Sequence, residues 1–119
     1  MAKYEVEFYE NTKGEQPVKE FLLALDPKMR AKMLHLIELL QDNGPALREP
    51  YSKNLSHKIF ELRAQFGSDI TRVLYFFCVG RHIILTHGFV KKTQKTPPSE
   101  IDRAKKYRED YLQRKERKA

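Results

Sequence analysis

The sequence has a single cysteine, Cys78, and no long apolar run. One cysteine cannot form an internal disulfide. Because Cys78 stands among apolar residues, we interpret it as a small buried side chain in a protein of a reducing compartment. No stretch approaches the roughly 20 apolar residues that span a bilayer, and residues 1–5 mix charged with apolar side chains, unlike a signal peptide. The sequence therefore predicts a cytoplasmic protein without a membrane partner.

The usual metal and cofactor patterns are also missing. There is no Cys-x-x-Cys pair, no two histidines stand four residues apart, and the five glycines occur singly, so neither a zinc site nor a glycine-rich phosphate loop is expected. We predict no metal and no cofactor. What is present, 40% hydrophobic residues in a chain of 119, is enough for one modest core and predicts one domain over residues 1–119.

Positive charge is concentrated near the end of the chain. The net charge is +7, and residues 91–119 hold eleven Lys or Arg against five Asp or Glu, whereas residues 1–90 hold twelve against eleven. Such a concentration attracts a polyanion such as nucleic acid through counterion release. A solvated, charge-rich helix would have the same composition, so charge alone does not decide between the two.

Residue periodicity predicts an α+β fold in the order β-α-α-β-β-β-α. The expected design is an antiparallel sheet with a helical hairpin packed on one face and a basic helix at the end. The predicted strands are 3–10, 58–65, 70–79 and 82–90. The predicted helices begin at Pro17, at Asp26-Pro27 and near Thr96–Glu100, the last reaching about Arg114, and residues 45–57 are predicted to be a loop.

Two arginines lie inside predicted strands, where a charged side chain needs a reason. By strand alternation Arg72 shares a face with Leu74 and Phe76, and Arg63 lies on the preceding strand. One explanation is a salt bridge with Glu61 or Asp69. The other, which we favour because the arginines occupy adjacent strands, is a concave surface that holds phosphate bidentately.

A basic group at the end of the last predicted strand completes an anion site, formed by His87, Lys91 and Lys92. RNA carries its own nucleophile, the ribose 2′-hydroxyl, so cleavage needs only a base, an acid and cations at the transition state. His87 and Glu61 are candidate proton carriers. Each also has a structural alternative, as a hydrogen-bonded strand-end imidazole and as an ion-pair partner of Arg63.

Three blocks of sequence, 59–63, 71–77 and 87–97, are together similar to the phage-derived, HigB-like branch of the RelE toxin superfamily. The resemblance implies a microbial-RNase-type sheet and an endoribonuclease that cleaves translated mRNA in the ribosomal A site without metal, by attack of the 2′-hydroxyl on the scissile phosphate. It also implies a HigA-like antitoxin with a helix-turn-helix domain. That partner would neutralise the toxin and alone contact the operator DNA.

Residue by residue, the resemblance implies two groups. The implied catalytic residues are Arg63, Arg72, Lys91, Lys92 and His87. The implied RNA-binding residues are Lys53, Lys58, Thr93 and Lys95. The chain departs from many relatives in one strand, where Ile59 and Glu61 stand in place of two lysines.

Two other functions remain open from the sequence. One is a non-catalytic basic module that binds RNA or the ribosome, and the other is a domain that meets an acidic protein. Arg72 discriminates between the binding module and the toxin, because a simple binding surface has little need of an arginine inside an aromatic strand. A small helix-turn-helix protein encoded by the neighbouring open reading frame would favour the toxin over the domain that meets an acidic protein.

Overall fold

The computed structural model describes residues 3–118, which form an α+β fold with a five-stranded sheet. The strands are β1 (Glu5–Phe8), β2 (Ser52–Ser56), β3 (Ile59–Phe66), β4 (Asp69–Cys78) and β5 (His82–Lys91). The helices are α1 (Pro17–Ala24), α2 (Pro27–Asn43) and α3 (Pro98–Lys118), and a short 3-10 turn (Gly44–Ala46) follows α2. The strands lie in the order β1-β5-β4-β3-β2.

The sheet is mixed, so the prediction of a purely antiparallel sheet is wrong. The meander β2 to β5 is antiparallel, but β1 lies parallel to β5, with Glu5 opposite His82 and Phe8 opposite Leu85. Two helices and three strands separate β1 from β5 along the chain. Short-range sequence patterns do not predict a pairing between such distant segments.

Strand β2 is a second correction, because residues 45–57 were predicted to be a loop. Its sequence, Ser-Lys-Asn-Leu-Ser, contains no β-branched or aromatic residue, so strand propensity is low. Pairing with β3 imposes the strand conformation: Ser52 lies opposite Leu62 and Lys53 opposite Glu61. Tertiary pairing overrides local preference here.

Helix α2 follows its sequence signals closely. The Asp26 carboxylate accepts hydrogen bonds from the backbone N–H groups of Lys28 (3.0 Å) and Met29 (3.1 Å), which caps the helix, and Gly44 ends it with φ of 54°. The apolar residues that recur at helical spacing along α2 form a stripe, and this stripe is buried. It consists of Met29, Met33, Leu36, Ile37 and Leu40.

The helices cover both faces of the sheet, not one as predicted. Helices α1 and α2 pack on what we call the α2 face, α1 mainly against β5 and α2 mainly against β3, so the predicted hairpin of two mutually packed helices is not confirmed. Helix α3 packs on the opposite α3 face. The predicted alternation of β4 is confirmed, since Val73 and Tyr75 belong to the core under α2, whereas Leu74 and Phe76 belong to the core under α3.

Candidate nucleic-acid interface

Four charged side chains lie on neighbouring strands at the α3 face. In the strand register Lys53 of β2 is opposite Glu61 of β3, and Arg63 of β3 is opposite Arg72 of β4. Side chains opposite or diagonal to one another on one face are within reach of each other. The sheet therefore brings together the two arginines that the sequence analysis placed on adjacent strands.

Arg72 is completely buried, and its guanidinium is occupied by backbone oxygens. It donates to the carbonyl of Thr93 and to that of Lys95 (3.4 Å), and its Cζ lies 5.9 Å from the centre of the Phe89 ring. Its Nε is 3.9 Å from a carboxylate oxygen of Glu61. Burial lowers the pKa of Arg72 while Glu61 opposes the shift, but an arginine remains charged at neutral pH. The phosphate partner predicted for Arg72 is replaced by protein groups in this conformation.

Arg63 is held in the same way, but its side chain is not completely buried. Its Nε donates to Glu61, and its two terminal nitrogens donate to the side-chain oxygen (3.3 Å) and the backbone carbonyl of Gln94. The other Glu61 oxygen accepts from the hydroxyl of Thr96. The salt bridge offered above as a structural alternative is thus present, with Glu61 as the acid. The side chain of Arg63 remains 16% exposed, whereas that of Glu61 is fully buried.

The acceptors for the terminal nitrogens of both arginines come from one stretch, Thr93–Thr96, which we call the capping segment. It leaves the end of β5 and passes over the strand arginines before α3 begins at Pro98. Because its contacts to the arginines are mostly carbonyl oxygens, the segment compensates two buried or half-buried cations with strong charge-assisted hydrogen bonds.

His87 lies deeper than its predicted role requires. It is 1% exposed, its Nδ1 is 3.1 Å from the Thr86 hydroxyl, and its Nε2 is 3.2 Å from a carboxylate oxygen of Glu100 in the first turn of α3. Burial lowers the pKa of His87 to about 4, Arg103 adds to the shift, and Glu100 opposes it. The imidazole is therefore neutral at pH 7 and is covered by α3.

A cleft of about 430 Å³ lies beside the partly exposed side chain of Arg63. Lys53 and Tyr51 line it from β2 and the turn before it, and Lys32 reaches it from α2, where its ammonium donates to the Gln65 carbonyl at 2.6 Å. Tyr51 is 47% exposed. The cleft thus combines three cations with an accessible aromatic ring, the combination that binds a phosphate and a base.

Sequence reasoning missed Lys32 and Tyr51. Lys32 precedes Met33 of the buried stripe, so the helical pattern places it at the border of the packed surface; Tyr51 had no signal, since its segment was predicted to be a loop. Of the nine predicted site residues, only Lys53 and Arg63 line the cleft. Those on exposed surface elsewhere are Lys58, Lys91, Lys92, Thr93 and Lys95.

The described part of the chain holds no group of three or more His, Cys, Asp or Glu side chains that could bind a metal ion. Within residues 3–118, no helix has both the length and the apolarity to cross a bilayer.

The family model described as "Phage derived protein Gp49-like (DUF891)" matches residues 20–109, three quarters of the chain. The chain belongs to this family, which is associated with RelE-like toxins. The match includes the capping segment and both strand arginines. No curated protein matches the chain.

Proposed function

We propose that this protein is the toxin of a type II toxin–antitoxin pair, of the HigB-like kind, and that it is a metal-independent endoribonuclease acting on mRNA at the ribosome. The observation that carries the proposal is the cleft beside Arg63. There Lys32, Lys53 and an exposed Tyr51 surround the Arg63 guanidinium, which Glu61 holds through its Nε. Family membership supports the same function. The partner we propose is a HigA-like antitoxin with a helix-turn-helix domain.

The proposed reaction needs a base, an acid and cations, and no metal. The 2′-oxygen of the ribose forms a bond to phosphorus and gives its proton to a base, while the bond from phosphorus to the 5′-oxygen breaks and that oxygen takes a proton from an acid. The products are a 2′,3′-cyclic phosphate and a 5′-hydroxyl. Cations stabilise the additional negative charge on the phosphoryl oxygens.

The buried Glu61 and Arg72 hold Arg63 in position at the cleft. Arg63 would contact the scissile phosphate in place of its bonds to Gln94, with Lys53 as a second cation, while Glu61 holds the Arg63 Nε and Arg72 lies against the same carboxylate. Arg72 is thus proposed as a positioning residue. Lys91 and Lys92, exposed at the end of β5, stay predicted as transition-state cations. His87 could join only if the first turn of α3 moved away.

One observation favours a second candidate function, a non-catalytic module that binds RNA or the ribosome. Arg72 is bonded to carbonyl oxygens of the capping segment, so it has a structural reason to stand inside an aromatic strand. A binding module would need the cleft's charge and aromatic ring but no proton carriers.

Induced expression in a bacterial host, with primer extension on an abundant message, separates the two functions. The wild type is expected to arrest growth and to produce discrete new 5′ ends on the message. Lys53→Ala is expected to lose at least about a hundredfold in cleavage, the lower end of what one transition-state electrostatic contact contributes, and to stay folded, because Lys53 is only half-buried.

Lys19→Ala is the matched control, an exposed lysine on α1 far from the cleft. It is expected to cleave as the wild type does, and added EDTA should change nothing. Growth arrest with intact message would indicate the binding module, and normal growth with folded protein would overturn the toxin altogether.

A further inference from the structure

A second basic surface lies where the tip of the β2–β3 hairpin meets α3. Here a cleft of about 260 Å³ is lined by five residues. They are His57, Lys58, Lys105, Arg108 and Glu109. Three of them are permanent cations and only one is a carboxylate, so the cleft is electropositive.

The hairpin turn places its two basic side chains on residues with an unfavourable, left-handed backbone conformation. His57 and Lys58 form a two-residue turn between Ser56 and Ile59, with φ of 53° and 68°. Such turns favour Asn and Gly, because both central residues adopt the left-handed conformation. Here a histidine and a lysine occupy the positions instead, and the turn projects both over the end of the sheet.

The cations of this cleft lack the partners that the strand arginines have. Among the residues that the structure describes, no carboxylate forms an ion pair with Lys58, Lys105 or Arg108, and the buried Nε of Arg108 has no hydrogen-bond partner. The Arg108 guanidinium lies 5.7 Å from the centre of the Phe76 ring, which holds it at the cleft. The Nε of Arg72 likewise has no hydrogen-bond partner, but Arg63 and Arg72 both have a carboxylate, that of Glu61, within ion-pair distance, and their terminal nitrogens donate to carbonyls. Unpaired donors that converge on a cleft favour an anion.

The other side of the hairpin tip indicates which polyanion fits. There His57 and Lys58 also line a larger cleft of about 510 Å³, together with the half-buried rings of Phe60 and Phe77. Aromatic rings beside a basic groove are typical of surfaces that bind single-stranded nucleic acid, where bases stack and phosphates follow the cations. An acidic peptide would use the charges but not the rings.

We propose that the hairpin–α3 cleft is a second binding site for RNA, which holds two backbone phosphates apart from the Arg63 cleft. Lys58 and Arg63 are five residues apart along β3, roughly 16 Å at strand spacing, so one RNA strand reaches both. The site increases affinity and orients the strand, and it takes no part in bond cleavage. It therefore goes beyond the proposed nuclease and does not depend on it.

The test is binding of a 2′-O-methyl oligoribonucleotide of twelve nucleotides, which lacks the free 2′-hydroxyl and cannot be cleaved. The double variant Lys58→Gln, Lys105→Gln is compared with Lys13→Gln, Lys19→Gln, which removes the same charge from exposed positions elsewhere. The first is expected to bind about tenfold more weakly near 0.1 M salt, with a slope of log affinity against log salt shallower by about 1.4, the value for two phosphate contacts on a single strand. The second is expected to bind within about twofold of the wild type, because isolated exposed lysines make no phosphate contact.

Equal weakening in the two double variants would show that only net charge matters and would overturn the proposal. The proposal would also be overturned if the Lys58→Gln, Lys105→Gln variant bound RNA as the wild type does but no longer bound polyglutamate. That result would indicate that the cleft binds an acidic protein. Because the probe resists cleavage, a chain without nuclease activity can still bind it, and the two proposals fail separately.

Discussion

The two faces of the sheet are built from the same strands but by different physics. The α2 face buries thirteen apolar residues against α1 and α2, whereas the α3 face buries seven. The α3 face also buries charged or titratable groups, namely Glu61, Arg72 and His87. Burial of apolar side chains stabilises the α2 face without requiring a particular geometry. Each buried charged or titratable group on the α3 face, by contrast, needs a specific hydrogen-bond partner. The α2 face therefore contributes mainly apolar packing, whereas the α3 face holds the buried charged groups.

The largest effect expected from this comparison is on stability alone. Leu40→Ala removes a fully buried side chain from the α2 face and should lower the free energy of unfolding by about 4 kcal/mol. Urea denaturation measures this. Leu34→Ala, on the same helix but 43% exposed, should change stability by less than about 0.5 kcal/mol. Cleavage per folded molecule should be unchanged in both, and a selective loss of activity in Leu40→Ala would break the division between the faces.

A somewhat smaller loss of stability, together with a loss of RNA cleavage, is expected from a substitution on the α3 face. Arg72→Leu should destabilise by about 3 kcal/mol, because it removes a buried cation 3.9 Å from the buried Glu61 carboxylate and leaves two carbonyls without their donor. Adding Glu61→Leu should recover part of this stability, since an apolar pair can replace a buried ion pair. The double variant should still not cleave RNA, because Arg63 loses its anchor.

Full activity in that folded double variant would show that the buried charges do not position Arg63. No recovery of stability would show that Glu61 and Arg72 do not act as a pair. Both outcomes are read from urea denaturation beside a cleavage assay on the same preparation.

The smallest expected effect depends on pH and concerns His87. Burial lowers the pKa of His87 to about 4 from its ordinary value of about 6.5, so between these two values the unfolded chain binds a proton that the folded chain does not. Stability should therefore fall as the pH falls from about 6.5 to about 4. Above that window the contribution of His87 is complete and independent of pH.

Melting temperatures measured across this range provide the check. His87→Gln, which cannot titrate, should show a shallower decline over the same pH window. If its decline matches that of the wild type, the neutral imidazole under α3 is not what makes the α3 face sensitive to acid.

Sequence patterns predicted those parts of the fold that are set locally. The stripe of α2, its Asp26 cap and the alternation of β4 are all readable because periodicity and capping act over a few residues. Strand β2 and the parallel pairing of β1 were not predictable, because both arise from partners far along the chain. The position of α3 on the opposite face depends likewise on the assembled sheet.

The candidate site was predictable in its residues more than in their surroundings. Two arginines on adjacent strands follow from the sequence, and the register places them opposite one another. Their acceptors could not be read from side-chain types, since Arg72 is bonded to main-chain oxygens of Thr93 and Lys95, which every residue possesses. Lys32 was missed because a cleft formed by α2 and β2 leaves no trace in either segment alone.

The distance along the chain between Arg72 and its acceptors also sets an order of events during synthesis. The carbonyl of Thr93 emerges 21 residues after Arg72, the partner of His87 follows it by 13, and the Tyr9 hydroxyl waits 101 residues for Asp110. A nascent chain can thus complete most of its apolar layer while the charged layer is still open. The segments that follow β5 close it, so the α3 face is completed only after every strand of the sheet has been synthesised.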